Sequence, residues 1–323
     1  MRYFLARTVQ AILLMLGVSL LSFAFLELAP GDFFEEIRLN PQISRETVAS
    51  LRKQYGLDQS LPTRYLLWLR SVSRGEFGFS FAYDIPVASL LWIRARNTLL
   101  LASIATLVAW LIAVPLGVLS ANSPNGWVER TCAVSTSTLL ATPDLLIALV
   151  LLLLAVRSGW FQVGGMTSAD SDSASTWKNT YDIASHLVLP VTALVLGNLC
   201  VLFRHTESAM REVLRSPFIA AARAHGIGRI RILFRHALPA ALNPLASLFG
   251  ISFGGLLSAS LLVEVVLNWP GLGPLLLEAL VNRDVYVVIG TVMLSAVFLV
   301  TGMFAADLLL FAADPRIRTE RLA

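Results

Sequence analysis

Six long apolar stretches dominate the sequence. They run from Thr8 to Leu28, Asn97 to Ala121, Thr131 to Val156, His186 to Phe203, Leu238 to Val263 and Val285 to Phe311. A helix needs about 20 mostly apolar residues to cross about 30 Å of hydrocarbon, so the pattern predicts six membrane spans. The first stretch also invites a signal-peptide reading. Its apolar run exceeds the roughly 7–15 residues of a signal core, and Glu27 spoils a small-residue cleavage site before Pro30. It is read as a retained span, 1–28. The connection 29–96 is mixed rather than apolar. Ser44-Arg45-Glu46-Thr47 opens a helical pattern with Ser44 at the N-cap and Gly56 as its stop. Leu61 to Val72 predicts a second, amphipathic helix carrying Tyr65, Leu66, Trp68 and Leu69, and Gly75 and Gly78 then mark turns. The connection is expected to form a small cap, with Tyr65 and Trp68 exposed toward a partner.

Helix breakers interrupt the spans: Pro115 and Gly117 in the second, Pro143 in the third, Pro190 and Gly197 in the fourth, Pro244 in the fifth. Such residues are tolerated where neighbouring helices or water satisfy the freed backbone groups. The third span is polar early (Ser135, Thr136, Ser137, Thr138, Thr142) and then apolar from Leu145 to Val156. Gly250, Gly254, Gly255 and Ser258 give the fifth a small-residue face suited to close packing. Polar atoms inside hydrocarbon prefer a bundle interior or a wet cavity. Ser135, Ser137, Thr138, Asp144, Gly254 and Ser258 are therefore the candidates for a path through the bundle. The inverted repeat of many secondary transporters is not evident.

Composition supports the membrane assignment and excludes a soluble enzyme. Hydrophobic residues make up 56% of the 323 and charged residues 14%, against roughly 45–50% and 25% in soluble domains. Mean hydropathy is +0.71. The net charge of +4 reflects membrane orientation rather than nucleic acid. Residues 1–7, 121–130, 204–237 and 312–323 together hold thirteen Lys/Arg, whereas 157–185 and 264–284 hold three, with six acids. The positive-inside rule then puts both termini in the cytoplasm. The nine basic residues of 29–96 do not count against this, because connections longer than about 60 residues translocate largely regardless of charge. Cys132 and Cys200 form no CxxC pair and read as small apolar thiols.

Candidate chemistry is sparse. Neither Lys53 nor Lys178 follows a glycine, so no Gly-Lys-Ser/Thr phosphate loop exists, and HExxH is absent. His186, His205, His225 and His236 are scattered, so no metal site is expected. Asp144 and Asp307 are the intramembrane acids, and only Asp144 suits an ion-coupling role. The strongest local pattern lies in 216–244. Ser216-Pro217 starts a helix, Phe218 to His225 is rich in alanine, Gly226 breaks it, and a second short helix with Ile230, Leu233 and Phe234 apolar is expected to end at Pro239. A helix–glycine–helix element at a membrane face can dock into a groove on a partner.

That segment resembles the EAA loop of ABC importer permeases, which reads EAA, three residues, Gly, eleven residues, Leu-Pro. Ala220-Ala221-Ala222 takes the EAA place, Gly226 the glycine and Leu238-Pro239 the end. Ala220 replaces the leading Glu, as is common in the peptide/nickel branch, whose ARAKG-like stretch resembles Ala222-Arg223-Ala224-His225-Gly226. Further matches in order are GVSLLSF (17–23), APGD (29–32), GLDQSLPTRYLLWL (56–69), GEFGFS (75–80), PLG (115–117), NWPGLGPLLLEALVNRD (268–284) and DPRIR (314–318). The chain departs from the pattern at ATPDL (141–145) and RDVYVVIG (283–290).

The resemblance implies an all-α membrane protein of the type I ABC importer permease fold, with 97–311 as the permease domain, 216–239 as its coupling loop and 312–323 as a cytoplasmic tail. Ala220, Ala221, Ala222, Arg223, Gly226, Leu238 and Pro239 would couple it to ATPase subunits. The implied partners are a second permease subunit, two ATP-binding cassette subunits and an extracytoplasmic solute-binding protein, in a bacterial inner membrane and without nucleic acid. The chain would bind no cofactor and catalyse nothing, ATP and Mg lying on the ATPases. Peptides lead the substrate classes, ahead of nickel chelates, glutathione, opines and oligosaccharides. Two other classes fit the spans. An ion-coupled secondary carrier leaves the Gly226 loop unexplained, and a sensor or scaffold would show no substrate flux.

Overall fold

The computed structural model describes residues 2–28, 59–123, 126–168 and 176–313, with Glu46 and Ser50. The expected helix from Ser44 to Gly56 lies outside the described residues apart from Glu46 and Ser50, as do the stretches at 29–32 and 314–318. The chain divides into two compact units, Met1–Thr98 with Pro270–Val297, and Leu99–Trp269 with Phe298–Ala323.

The first unit contains α1 (Arg2–Leu28), α2 (Leu61–Val72), a short antiparallel hairpin of β1 (Phe79–Ser80) and β2 (Ile85–Pro86), and α9 (Leu272–Val281). It also takes in the first part of α3 (Val87–Asn122) and of α10 (Val285–Ala313). Helix α2 forms where the sequence predicts it, with Pro62 in its first turn. Its aromatics differ from expectation. Trp68 is 4% exposed and packs on Phe23 of α1, ring centres 5.1 Å apart, beside Ile289 and Met293. The Tyr65 hydroxyl meets Ser19 Oγ at 2.9 Å, and the Trp68 indole donates to the Phe77 carbonyl at 3.2 Å. Rings that combine large apolar area with a polar tip serve as anchors. They hold the cap to α1, while Leu66 and Leu67 face outward.

A buried carboxylate fastens the hairpin. Asp284, fully buried, accepts the Ser80 hydroxyl at 2.6 Å and the Ala82 amide at 3.2 Å. It also stands at the head of α10, where a carboxylate offsets the partial positive charge of the helix start. Tyr83 donates to Glu278 nearby. Burial, then that hydrogen bond, pushes the Tyr83 hydroxyl up to about 12.

The second unit contains the rest of α3, α4 (Trp127–Leu140), α5 (Asp144–Ser158), α6 (Thr176–Leu214), α7 (Pro217–Ala224), α8 (Leu238–Val266) and the end of α10. Lipid tails are as apolar as leucine, so helices in a membrane associate through close packing and polar contacts. The sequence supplies small ridges for this. Ala105, Ala109 and Ala113 recur every four residues on α3 and are fully buried. Gly117 continues the ridge, and a Cβ there would sit 2.7 Å from Thr206. On α8, Gly250 approaches Ala306 of α10 so closely that it leaves no room for a side chain, and a Cβ at Gly254 would displace the Leu299 methyl.

Five helices among the described residues are long and apolar enough to span, and a bent pair makes a sixth if counted as one span. The pair corrects the continuous third span expected from Thr131 to Val156. α4 and α5 meet at 101° around Ala141-Thr142-Pro143. A proline forces the residue before it toward extended backbone and cannot donate to the helical ladder. Pro115, Pro190 and Pro244, by contrast, lie inside continuous helices.

A second correction concerns Pro239. The segment after Gly228 passes through one turn (Arg229–Arg231) and a π-helical turn (Ile232–Ala237) directly into α8. Leu238-Pro239 therefore lies in the first turn of a long helix and ends nothing. Ile232, Leu233 and Ala237 are the buried residues of this stretch, whereas Ile230 and Phe234 are exposed.

Candidate functional site

Two neighbouring features of the second unit stand out: the 216–239 element and a polar cleft between helices. Ser216 precedes Pro217, whose fixed φ suits a first helical position. Ile219 is fully buried among Met210, Ile232, Leu233 and Ala237, and so fixes the inner face of α7. Ala220 and Ala221 point away from that cluster and are exposed, as are Phe218 and His225. Ala222, expected on the outer contact face, is half-buried against the cluster instead. Arg223 is exposed and follows Ile219 by four residues. Leu238 is half-buried and Pro239 exposed.

The helix ends through a complete reversal. Gly226 has φ +75°, its amide donates to the Arg223 carbonyl at 2.9 Å, and the Ile227 amide reaches back to Ala222 at 3.2 Å. This pair of bonds satisfies carbonyls that a helix end otherwise orphans, and the left-handed residue at its centre is usually glycine. Arg211 braces the platform beneath by pairing with Glu129 of α4 and with Glu207, the latter at 2.8 Å, while Ser120 of α3 donates to Glu207 at 2.5 Å.

The intramembrane cleft has a volume of about 290 Å³ and is lined by Asp144, Gly197, Asn198, His205, Ser252 and Gly255, among others. Gly197 makes room for the carboxylate, since any Cβ there would collide with Asp144 Oδ1. Asp144 sits in the first turn of α5, where free amides favour negative charge. Ser252 accepts from the Trp110 indole at 3.2 Å, and Asn198 donates to the Ser252 carbonyl at 3.4 Å.

Of the sequence candidates for a path, only Asp144 lines this cleft. Ser135, Ser137 and Thr138 lie exposed on α4 before the bend. The Ser137 and Thr138 hydroxyls donate to their own helix, to Ala133 at 2.7 Å and Val134 at 3.1 Å, and Arg204 donates to Ser137 at 2.9 Å. Gly254 is turned to Leu299 rather than to the cleft, and Ser258 is exposed on α8. Asn198, His205 and Ser252 line the cleft without being among the sequence candidates. Their signal was present: Leu194, Asn198, Val201 and His205 share one stripe of α6 at helical spacing, and Leu248, Ser252, Gly255 and Ala259 one stripe of α8.

Because a Cβ at Gly255 meets nothing within 4 Å, a cysteine fits there without disturbing the packing. In a chain lacking Cys132 and Cys200, cysteines at 198 and 255 are expected to react with a water-soluble thiol reagent, and one at the fully buried Thr291 is not. Modification of the first two by lipid-soluble reagents alone would place the cleft against lipid.

Comparison with known proteins matches nearly all of the chain. Residues 1–102 match the N-terminal family of binding-protein-dependent transport system membrane components, and 113–319 match the binding-protein-dependent transport system inner membrane component family. The oligopeptide transport system permease protein AppB of Bacillus subtilis (strain 168) is 35% identical over 317 residues, 98% of each chain. The dipeptide transport system permease protein DppB of Escherichia coli (strain K12) is 33% identical over 341 residues, 99% of this chain and 100% of the relative. An inward-facing structure of the MetNI methionine ABC transporter aligns with TM-score 0.57 at 20% identity, covering 70% of this chain and 96% of that one, which identifies the fold.

Proposed function

We propose, from the premise that this chain belongs to the binding-protein-dependent transport system inner membrane component family, that it forms half of the path of a peptide importer. The family makes the chain a membrane permease of an ABC importer with the type I fold, and its relatives are permease components of peptide importers. The finer reading is ours. A second permease subunit completes the path. Two ATP-binding cassette subunits bind ATP and Mg, a solute-binding protein delivers the substrate from outside, and this chain binds no cofactor. The membrane is a bacterial inner membrane with both termini in the cytoplasm, which puts 216–239 on the cytoplasmic side.

The observation that carries the reading is the build of α7. It is anchored from within by Ile219, closed by the Gly226 reversal, and presents small residues, Ala220 and Ala221, outward. A small-residue face lets a partner surface come close. Movement of α7 has two routes to the cleft. One is α6, unbroken from Arg211 back to His205 and Asn198, and the other runs through the π turn into α8 and Ser252. Closure of the ATPases on ATP would move α7 and, through both helices, the cleft walls.

The test is uptake of a labelled peptide into vesicles holding the complete complex, with ATP supplied on the side of 216–239. Uptake is expected to require ATP and the solute-binding protein and to survive collapse of ion gradients. Uptake driven by an ion gradient without ATP would replace this reading with an ion-coupled carrier.

A further inference from the structure

We propose that a second cleft, behind α7, binds the phosphate headgroup of an anionic lipid of the cytoplasmic leaflet, and that this lipid ties the coupling element to the ends of the spans. The proposal rests on the reading above only in placing this end of the protein on the cytoplasmic side.

The cleft has a volume of about 490 Å³ and four of its lining residues are arginines: Arg211 in the last turn of α6, Arg215 just past its end, Arg223 on α7 and Arg229 on the following turn. Internal partners account for only part of this charge. Arg229 donates to the side chain and carbonyl of Asn122 at the end of α3. One terminal nitrogen of Arg211 serves Glu129 and Glu207, but its Nε is buried without a partner. Arg215 and Arg223 have no carboxylate partner among the described residues. A buried donor left unpaired is costly, and like charges gathered around one cavity repel. A bound anion removes both penalties. The guanidinium fork matches phosphate oxygens in pairs, with charge-assisted bonds stronger than neutral ones.

The remaining walls say which kind of phosphate. Leu214, Ile227, Ile232 and Leu233 line the same cleft, so it offers apolar surface beside the cationic one. A free phosphate uses only the second, whereas a phospholipid presents a glycerol and acyl region next to its headgroup. The cleft also sits where a lipid headgroup lies, because its residue Ala121 closes the apolar stretch of α3. Basic pockets at the cytoplasmic ends of spans are suited to anionic headgroups. An acidic side chain from an ATPase is disfavoured by direction, since Arg223 shares the face of the buried Ile219, turned from Ala221.

The experiment uses the complete complex in nanodiscs of phosphatidylcholine alone or with phosphatidylglycerol. Retained lipid is read by native mass spectrometry, and substrate-stimulated ATP hydrolysis is read in parallel. The wild type is expected to retain phosphatidylglycerol and to hydrolyse ATP several-fold faster with it. Arg215→Gln is expected to weaken retention roughly tenfold, the loss of one charge-assisted bond, and Arg215→Lys, which keeps the charge without the fork, less. Inorganic phosphate and glycerol 1-phosphate should not displace the lipid. Displacement by either would assign the site to a soluble phosphate and overturn the lipid source. Equal retention by wild type and Arg215→Gln would overturn the site. Loss of ATPase subunits from Arg215→Gln with lipid retention unchanged would assign the arginines to a protein contact instead. Retention is read without transport, so a failure of ATP-driven uptake with retention intact counts against the function and not against this site.

Discussion

Gly226→Val is expected to abolish substrate-stimulated ATP hydrolysis and uptake while the chain still inserts and the spans still pack. A Cβ at Gly226 meets nothing within 4 Å, so the effect is conformational rather than a collision. At φ +75° a residue with a side chain pays a penalty of roughly 1–2 kcal/mol, and β-branching raises it. Leaving that conformation breaks the two reversal bonds, from Gly226 to Arg223 and from Ile227 to Ala222, each contributing about 0.5–1.5 kcal/mol. The end of α7 then loses its direction, and the Ala220–Ala221 face with it. Gly226→Asn, which tolerates the left-handed region, is expected to keep most of the activity. Ala221→Glu tests the partner contact separately, because it adds a long charge to an exposed position. Ala222→Glu would confound that test, since Ala222 already leans on the protein's own core. The assay is ATPase rate and uptake in vesicles holding the complete complex. Wild-type coupling in both Gly226→Val and Ala221→Glu would show that 216–239 does not transmit the ATPase motion.

Asp284→Ala is expected to destabilise the first unit by about 2–4 kcal/mol, combining a lost helix start with a buried hydroxyl left without its acceptor. Asp284 and Ser80 are both fully buried, and the Ser80 hydroxyl and Ala82 amide both bond to the Asp284 carboxylate. Asp284→Asn, which keeps an acceptor oxygen, should lose less. Adding Ser80→Ala to Asp284→Ala should recover part of the loss, because the orphaned hydroxyl goes with it. Thermal unfolding of the purified protein and limited proteolysis within 79–86 are the measurements. An unchanged midpoint and an uncleaved hairpin in Asp284→Ala would show that the carboxylate does not hold the cap.

The spans were legible because hydropathy reports membrane depth, but depth is not helix length. α3 begins at Val87, ten residues before its apolar stretch, and α6 continues to Leu214, well past Phe203. Beyond the hydrocarbon a polar sequence remains helical when its other face is packed, as Met210 is here. Four prolines looked alike in the sequence, and only Pro143 divides a span. Whether a helix absorbs a proline depends on the neighbours that satisfy its freed groups, which local sequence does not specify. The sequence predicts α2 to the residue, yet the face that carries Trp68 is buried and the one that carries Leu66 and Leu67 is exposed. An amphipathic pattern identifies a buried stripe, and Trp68 belongs to it. At the candidate site, the Gly226 reversal was readable from alanine-rich helix followed by glycine. The cleft was not, because Asn198, His205 and Ser252 come from two helices more than forty residues apart in sequence, and an average over apolar neighbours hides single polar residues.

The π turn at Ile232–Ala237 absorbs one residue of chain without changing the phase of the helices on either side. Each residue of an α-helix advances the chain by about 100° of rotation, and a π turn carries a residue more than the α turn it replaces. Removing one residue from 232–237 would let the ladder close as ordinary α-helix with the same total turn, so the segments on either side keep their phase, whereas removing one from the regular helix of α8 would swing everything upstream by about that angle. In the second case Ile219 would leave its core, and Ala220 and Ala221 would face a different neighbour, though no contact residue had been changed. Single-residue deletions in α8 are therefore out of phase with assembly, whereas one inside 232–237, like substitutions at the exposed Ile230 and Phe234, leaves the phase intact.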